Sequence, residues 1–169
     1  EHKLALYYLE KSLNAKGKVV PENHPKNASC YDNIGRIHYC LGDYQKALYY
    51  RTKALGIREQ TLPRNHPSIA ASYNNISLIY SAIGDYNTSL QYQKESLYIS
   101  KVALPFGHPN LALAHCNLAT TLWEMGNTYE AVDYLRIEKD NAISILSPEH
   151  PYSQELINAF ELLKSHLQE

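Results

Sequence analysis

Apolar residues recur along the chain at the three-and-four spacing of one helix face, and no segment alternates apolar with polar as a strand would. In the stretch DYQKALYYRTKALGIREQTL the residues Ala47, Leu48, Tyr50, Ala54, Leu55 and Ile57 fall on one broad stripe. The stretch SIAASYNNISLIYSAI carries a similar stripe between Pro67 and Gly84. Both read as helices. Proline suits a helix's first turn, where its missing N–H has no partner to lose. The preceding Asn65 or His66 can cap the free amides, and glycine ends the helix by adopting a left-handed conformation. The second stretch starts at a capping Asp43 and runs to near Pro63. The pattern predicts an all-α chain.

The pair of helices repeats. His-Pro occurs at 24–25, 66–67, 108–109 and 150–151, a step of 42 each time. Gly42, Gly84 and Gly126 keep that step, as do Ala5, Ala47, Ser89 and Ala131, then Tyr8, Tyr50, Tyr92 and Tyr134, then Asn33, Asn75 and Asn117. One period held by several independent columns is a repeat architecture. Neither helix of a pair can hide its apolar face alone, so successive hairpins must stack into a continuous core. Ala47 and its counterparts are small where helices cross closely. The expected organisation is a single domain over 1–169: a second helix at 1–23, repeats at 24–65, 66–107 and 108–149, and a capping helix at 150–169. Because the pattern starts and stops within a period, it reads as a fragment of a longer array.

The residues resemble the tetratricopeptide repeat, whose first helix carries W-x-x-L-G-x-x-Y and whose second carries A-x-x-x-F. Here the first pattern reads Tyr31-x-x-Ile34-Gly35-x-x-His38, Tyr73-x-x-Ile76-Ser77-x-x-Tyr80 and His115-x-x-Leu118-Ala119-x-x-Leu122. The long period and the P-x-N-H-P punctuation are similar to the kinesin-light-chain type. The resemblance implies a right-handed α-solenoid of antiparallel hairpins, a superhelix of about seven helices. Two departures stand out. Arg51, Gln93 and Leu135 occupy the column of the A-x-x-x-F aromatic, with a tyrosine one residue earlier, and Ile137-Glu138-Lys139-Asp140-Asn141 breaks the pattern of the third repeat.

Composition narrows the function. Apolar residues are 44%, charged residues 20% and the net charge −1, so no basic face for nucleic acid is expected. No apolar run approaches a membrane span, and three cysteines (Cys30, Cys40, Cys116) without CxxC spacing read as reduced thiols of a cytoplasmic protein. No phosphate loop, HExxH or G-x-S-x-G motif occurs. The His-Pro histidines recur once per hairpin, too far apart to converge on a metal, and read as helix-start residues. His115 takes a tyrosine column and reads as packing; adjacent Cys116 points away from it, so no Cys–His nucleophile assembles. No cofactor, metal or catalytic residue is expected.

In arrays of this family the first helices line a concave groove, and an asparagine there characteristically grips the backbone of a bound peptide. The resemblance therefore implies a protein–protein interaction module with Asn33, Asn75 and Asn117 as candidate contacts, although the same asparagines could bond a neighbouring hairpin for structure alone. By the same registry Asp32, Arg36, Tyr39 and Cys40 face the groove in the first repeat. Asn74, Leu78, Ser81 and Ala82 do so in the second, and Cys116, Thr120, Trp123 and Glu124 in the third. Trp123, the lone tryptophan, is the candidate anchor. With Arg36 the one firm cation and Asp32 and Glu124 opposing it, no carboxylate clamp is expected. The alternatives are a scaffolding segment of a larger protein whose enzymatic activity lies elsewhere, or a monomer that forms a weak homodimer through a stripe including Leu4, Tyr7 and Leu9.

Overall fold

A computed structural model describes residues 24–167 together with 4, 6–9 and 11. Within the described residues there are no strands. The helices are α1 (Pro25–Cys40), α2 (Tyr44–Thr61), α3 (Pro67–Ile83), α4 (Tyr86–Ala103), α5 (Pro109–Glu124), α6 (Thr128–Ile145) and α7 (Pro151–His166). Residues 4, 6–9 and 11 are also helical. Each helix packs on the one before and the one after, and α5 also packs on α7. This is the right-handed solenoid of antiparallel hairpins that the repeat predicts.

The punctuation explains the boundaries. Every first helix opens on His-Pro, and the histidine is its N-cap. Nδ1 accepts the amide two residues on: from Lys26 to His24 (3.2 Å), Ser68 to His66 (3.1 Å), Asn110 to His108 (3.1 Å) and Tyr152 to His150 (3.2 Å). Each bond satisfies one of the amides that a helix start leaves orphaned. Asp43 and Asp85 cap α2 and α4 through the amides of Lys46 and Thr88. Asn127 makes no such bond with its side chain. Between the helices of a pair the chain turns through Gly42, Gly84 and Gly126, all at positive φ. At Gly84 (φ 89°) an added Cβ would meet nothing within 4 Å, so the left-handed backbone alone demands glycine there.

The core is a row of clusters along the stack. Ala28, Tyr31, Ala54 and Ile57 form one, Leu55, Ile69, Ala70, Ile76 and Ile99 the next. A third, running from Leu97 to Phe160, joins α4 to α7. Ala47, Ser89 and Ala131 are wholly buried where the helices of each hairpin cross. Gly35 answers Ala47: a Cβ there would stand 3.2 Å from the Ala47 carbonyl oxygen and 3.0 Å from Arg51 Cγ. In the third repeat α6 is unbroken; Ile137 turns outward and Glu138 turns toward His115.

The tyrosine shifted by one residue takes over the missing aromatic's work. Tyr50 stacks on Tyr31 (6.1 Å) and on His38 (5.6 Å), and Tyr92 packs on Tyr73 (5.7 Å) and Tyr80 (5.5 Å). Tyr134 does the same with His115 (5.7 Å). The next column is thereby released to hold Arg51, Gln93 and Leu135.

Candidate functional site

Because α1, α3 and α5 are the first helices of successive repeats, their outer residues line up across the stack. Tyr39 of α1, Leu78, Ser81 and Ala82 of α3, and Asn117, Thr120 and Glu124 of α5 line one trough of about 370 Å³. All seven belong to the groove register read from the sequence. Tyr86, Gln93 and Thr121 complete the lining. Thr121 comes from α5, whereas Tyr86 and Gln93 come from a second helix and lay outside the expected set. Next along α3 and α5, Asn74 and Asn75 border a smaller depression of about 170 Å³ with Ala71, Asn110 and Leu113.

The asparagines do not behave alike. Asn33 is exposed and Asn75 half-buried. Asn117 donates through Nδ2 to Asn74 Oδ1 at 3.1 Å, bridging α5 to α3. At that position the hairpin-to-hairpin bond is realised, and it also sets the angle of the amide at the trough. Trp123 does not line the trough. It is half-buried against the core cluster of α4–α7, and its ring meets His166 of α7 edge-on at 6.2 Å.

Asp32 departs from its groove-facing reading. Its carboxylate binds Arg51 at 3.5 Å and Arg58, and Arg58 reaches on to Ser72 Oγ of α3. The reason is Arg51, which stands where the family carries an aromatic and is only 8% exposed. A guanidinium so placed needs a counter-charge, and burial with like charge from Arg36 and Arg58 lowers its proton affinity even beside Asp32. Arg36 itself is exposed and makes no ion pair with any described residue.

Nucleophilic and metal chemistry find no assembled site among the described residues. Burial, then the charge of Glu155, pushes the Cys116 thiol up to about 11, which leaves it protonated and inert near neutral pH. His115 is 1% exposed, bonds the Tyr134 hydroxyl at 2.6 Å and is pushed down to about 4 by burial and then by Lys101. It is a core residue. No three of the described His, Cys, Asp or Glu residues converge as metal ligands. No helix among the described residues is long and apolar enough to cross a membrane.

Elsewhere, a hollow of about 520 Å³ opens beside α2 and α4, between Glu59, Tyr73, Glu95 and Tyr98. Glu59 already accepts the Tyr73 hydroxyl there at 2.8 Å. At the other end of the chain Leu4 and Tyr7 are exposed, while Leu9 is half-buried and its carbonyl meets Cys30 Sγ at 3.7 Å. Leu9 therefore leaves the exposed stripe.

The family model described as tetratricopeptide repeat matches residues 1–60 and 68–137. No curated protein sequence matches the chain. Among solved structures, the chain is similar to a Podosopora anserina protein described as a kinesin light chain with nearly identical TPR-like repeats. The TM-score is 0.80 at 21% identity, over 99% of this chain and 89% of that one. It is also similar to BtubC (BKLC) from P. vanneervenii, with TM-score 0.70 at 16% identity over 99% of this chain and 58% of that one. The apo form of RapI gives 0.68 at 20% identity, over 98% and 63%. Identities this low speak for a common fold.

Proposed function

This chain belongs to the tetratricopeptide repeat family, a family of protein-interaction scaffolds, and we propose that the trough along its first helices binds an extended or helical segment of a partner polypeptide. The observation that carries the reading is the shared trough. Residues from three successive repeats, spaced along the chain by the repeat period, come to line one surface that mixes apolar Leu78 and Ala82 with amides and hydroxyls. Such a surface can hold side chains and backbone together. The hollow beside α2 and α4 is larger, but it draws on one junction only, and a carboxylate at its edge is already bonded.

In this reading the contacts are Asn33, Arg36, Tyr39, Asn74, Asn75, Leu78, Asn117 and Thr120, with Trp123 supporting α5 from the α7 side. Catalysis is no part of the role, and neither nucleic acid, membrane nor cofactor is a partner. Selection of binders from a random peptide library, followed by titration against Leu78→Glu and Asn117→Ala, tests the reading. Binders that titrate both variants as they do the parent chain would place the site elsewhere. Mass in solution that rises with concentration would instead favour pairing through the exposed Leu4 and Tyr7.

A further inference from the structure

Resting on the trough as the binding surface, we propose that the part of it between α3 and α5 receives a lysine or arginine side chain of the bound polypeptide. Ser89 donates its hydroxyl to the Ser77 carbonyl at 2.9 Å, so the 2.8 Å bond between Ser81 and Ser89 must be donated by Ser81. The single proton of Ser81 is thus turned inward. Thr120 donates to the Cys116 carbonyl at 3.0 Å and Thr121 to the Asn117 carbonyl at 3.1 Å. All three hydroxyls along this stretch have committed their protons to the protein and keep only lone pairs for a guest.

Gln93 extends the pattern to the floor. The Thr121 proton lies on the Asn117 carbonyl, and the Thr121 oxygen accepts from Gln93 Nε2 at 2.8 Å. Oε1 is left with no partner among the described residues, in a side chain that lines the trough yet is only 4% exposed. A buried acceptor without a donor is unfavourable, and a guest that brings a donor relieves it. At the mouth stands Glu124, the one charged residue of the lining. Of the two Asn117 amide protons, one goes to Asn74. The donors left over are the other proton of Asn117, the second Nε2 proton of Gln93 and the phenols of Tyr39 and Tyr86.

A carboxylate or phosphate entering here would set lone pairs against lone pairs. An ammonium or guanidinium brings several donors on an apolar stem, which Leu78 and Ala82 can cover while the head reaches the acceptors. The second repeat is the one suited to this. The equivalent column holds the charged Arg51 in the first repeat and Leu135 in the third, and neither offers an acceptor.

The test uses random peptide libraries with lysine, norleucine or glutamate fixed at the centre, titrated against the parent chain, Gln93→Leu and Leu78→Arg. Gln93→Leu installs the residue that the third repeat carries in this column, and thermal melting verifies its fold. The lysine library should bind about tenfold or more tighter than the norleucine one, by the worth of a hydrogen bond to a charged group. Gln93→Leu should remove most of that gap, read as the ratio of lysine to norleucine affinity within the variant itself. Binding that Leu78→Arg abolishes but that shows no preference for lysine, or prefers glutamate, overturns the proposal and keeps the trough. Binding indifferent to Leu78→Arg overturns both.

Discussion

His115 of α5 and Tyr134 of α6 meet at 2.6 Å between Nδ1 and the phenol oxygen, sealed inside the third repeat where the first two carry pairs of tyrosine rings. The Glu138 carboxylate stands 3.6 Å from the same nitrogen, yet burial dominates and the imidazole is held neutral, with its pKa down at about 4. An unfolded chain returns the histidine to its ordinary value of about 6.5.

Acid should therefore weaken the fold in a defined window. Between pH 6.5 and 4 the unfolded chain binds a proton that the folded chain refuses, so stability from this site is complete above 6.5 and lost as pH falls toward 4. The full effect is at most about 3 kcal/mol. Urea midpoints across this range should fall less steeply in His115→Tyr, which restores the residue type of Tyr31 and Tyr73. Equal slopes in the two proteins would remove His115 as the cause.

Helix crossings should resist added volume. Ala47 is wholly buried against a first helix that carries glycine at position 35. Ala47→Leu is expected to lower unfolding free energy by about 1–3 kcal/mol through overpacking, whereas the same change at exposed Gln45 should be nearly silent. Denaturant titration of both variants checks the contrast.

Capping by histidine should be measurable one helix at a time. His66→Ala should cost about 1 kcal/mol, the usual worth of a helix N-cap, and His66→Asn should recover most of it. Hydrogen exchange at the Ser68 amide, the donor to Nδ1, reports the lost bond directly.

The Asp32 network should be asymmetric. Asp32→Ala leaves Arg51 and Arg58 facing each other with no counter-charge, at an expected loss of about 3–5 kcal/mol. Adding Arg51→Leu, the residue type of Leu135, should return part of that loss. A double variant no more stable than Asp32→Ala would mean that Arg51 is not the charge left stranded.

Local signals wrote most of this fold into the chain. His-Pro, the positive-φ glycines and the small residues at 47, 89 and 131 each act within a turn or at one crossing, so their spacing alone placed the helices. The register of Tyr39, Leu78, Ser81, Ala82, Asn117, Thr120 and Glu124 was legible for the same reason. Gln93 was not, because it reaches the trough from a second helix, and only the shift of Tyr92 into the aromatic's place opens that path. Asp32 escaped too. Its helical register points it to the groove, but the pull of Arg51, nineteen residues on, decides where the carboxylate goes. Trp123 has the size of an anchor, but its place against His166 depends on α7, a neighbour that the periodicity of α5 does not encode.

Whether a guest polypeptide lies along the first helices is decided by backbone amide chemical-shift mapping of the labelled chain with a selected peptide. The largest shifts are expected at Leu78, Ser81, Asn117 and Thr120, with Tyr39 following and Glu59, Glu95 and Tyr98 unmoved. Shifts concentrated on α2 and α4 around Tyr98, with the trough silent, would contradict it.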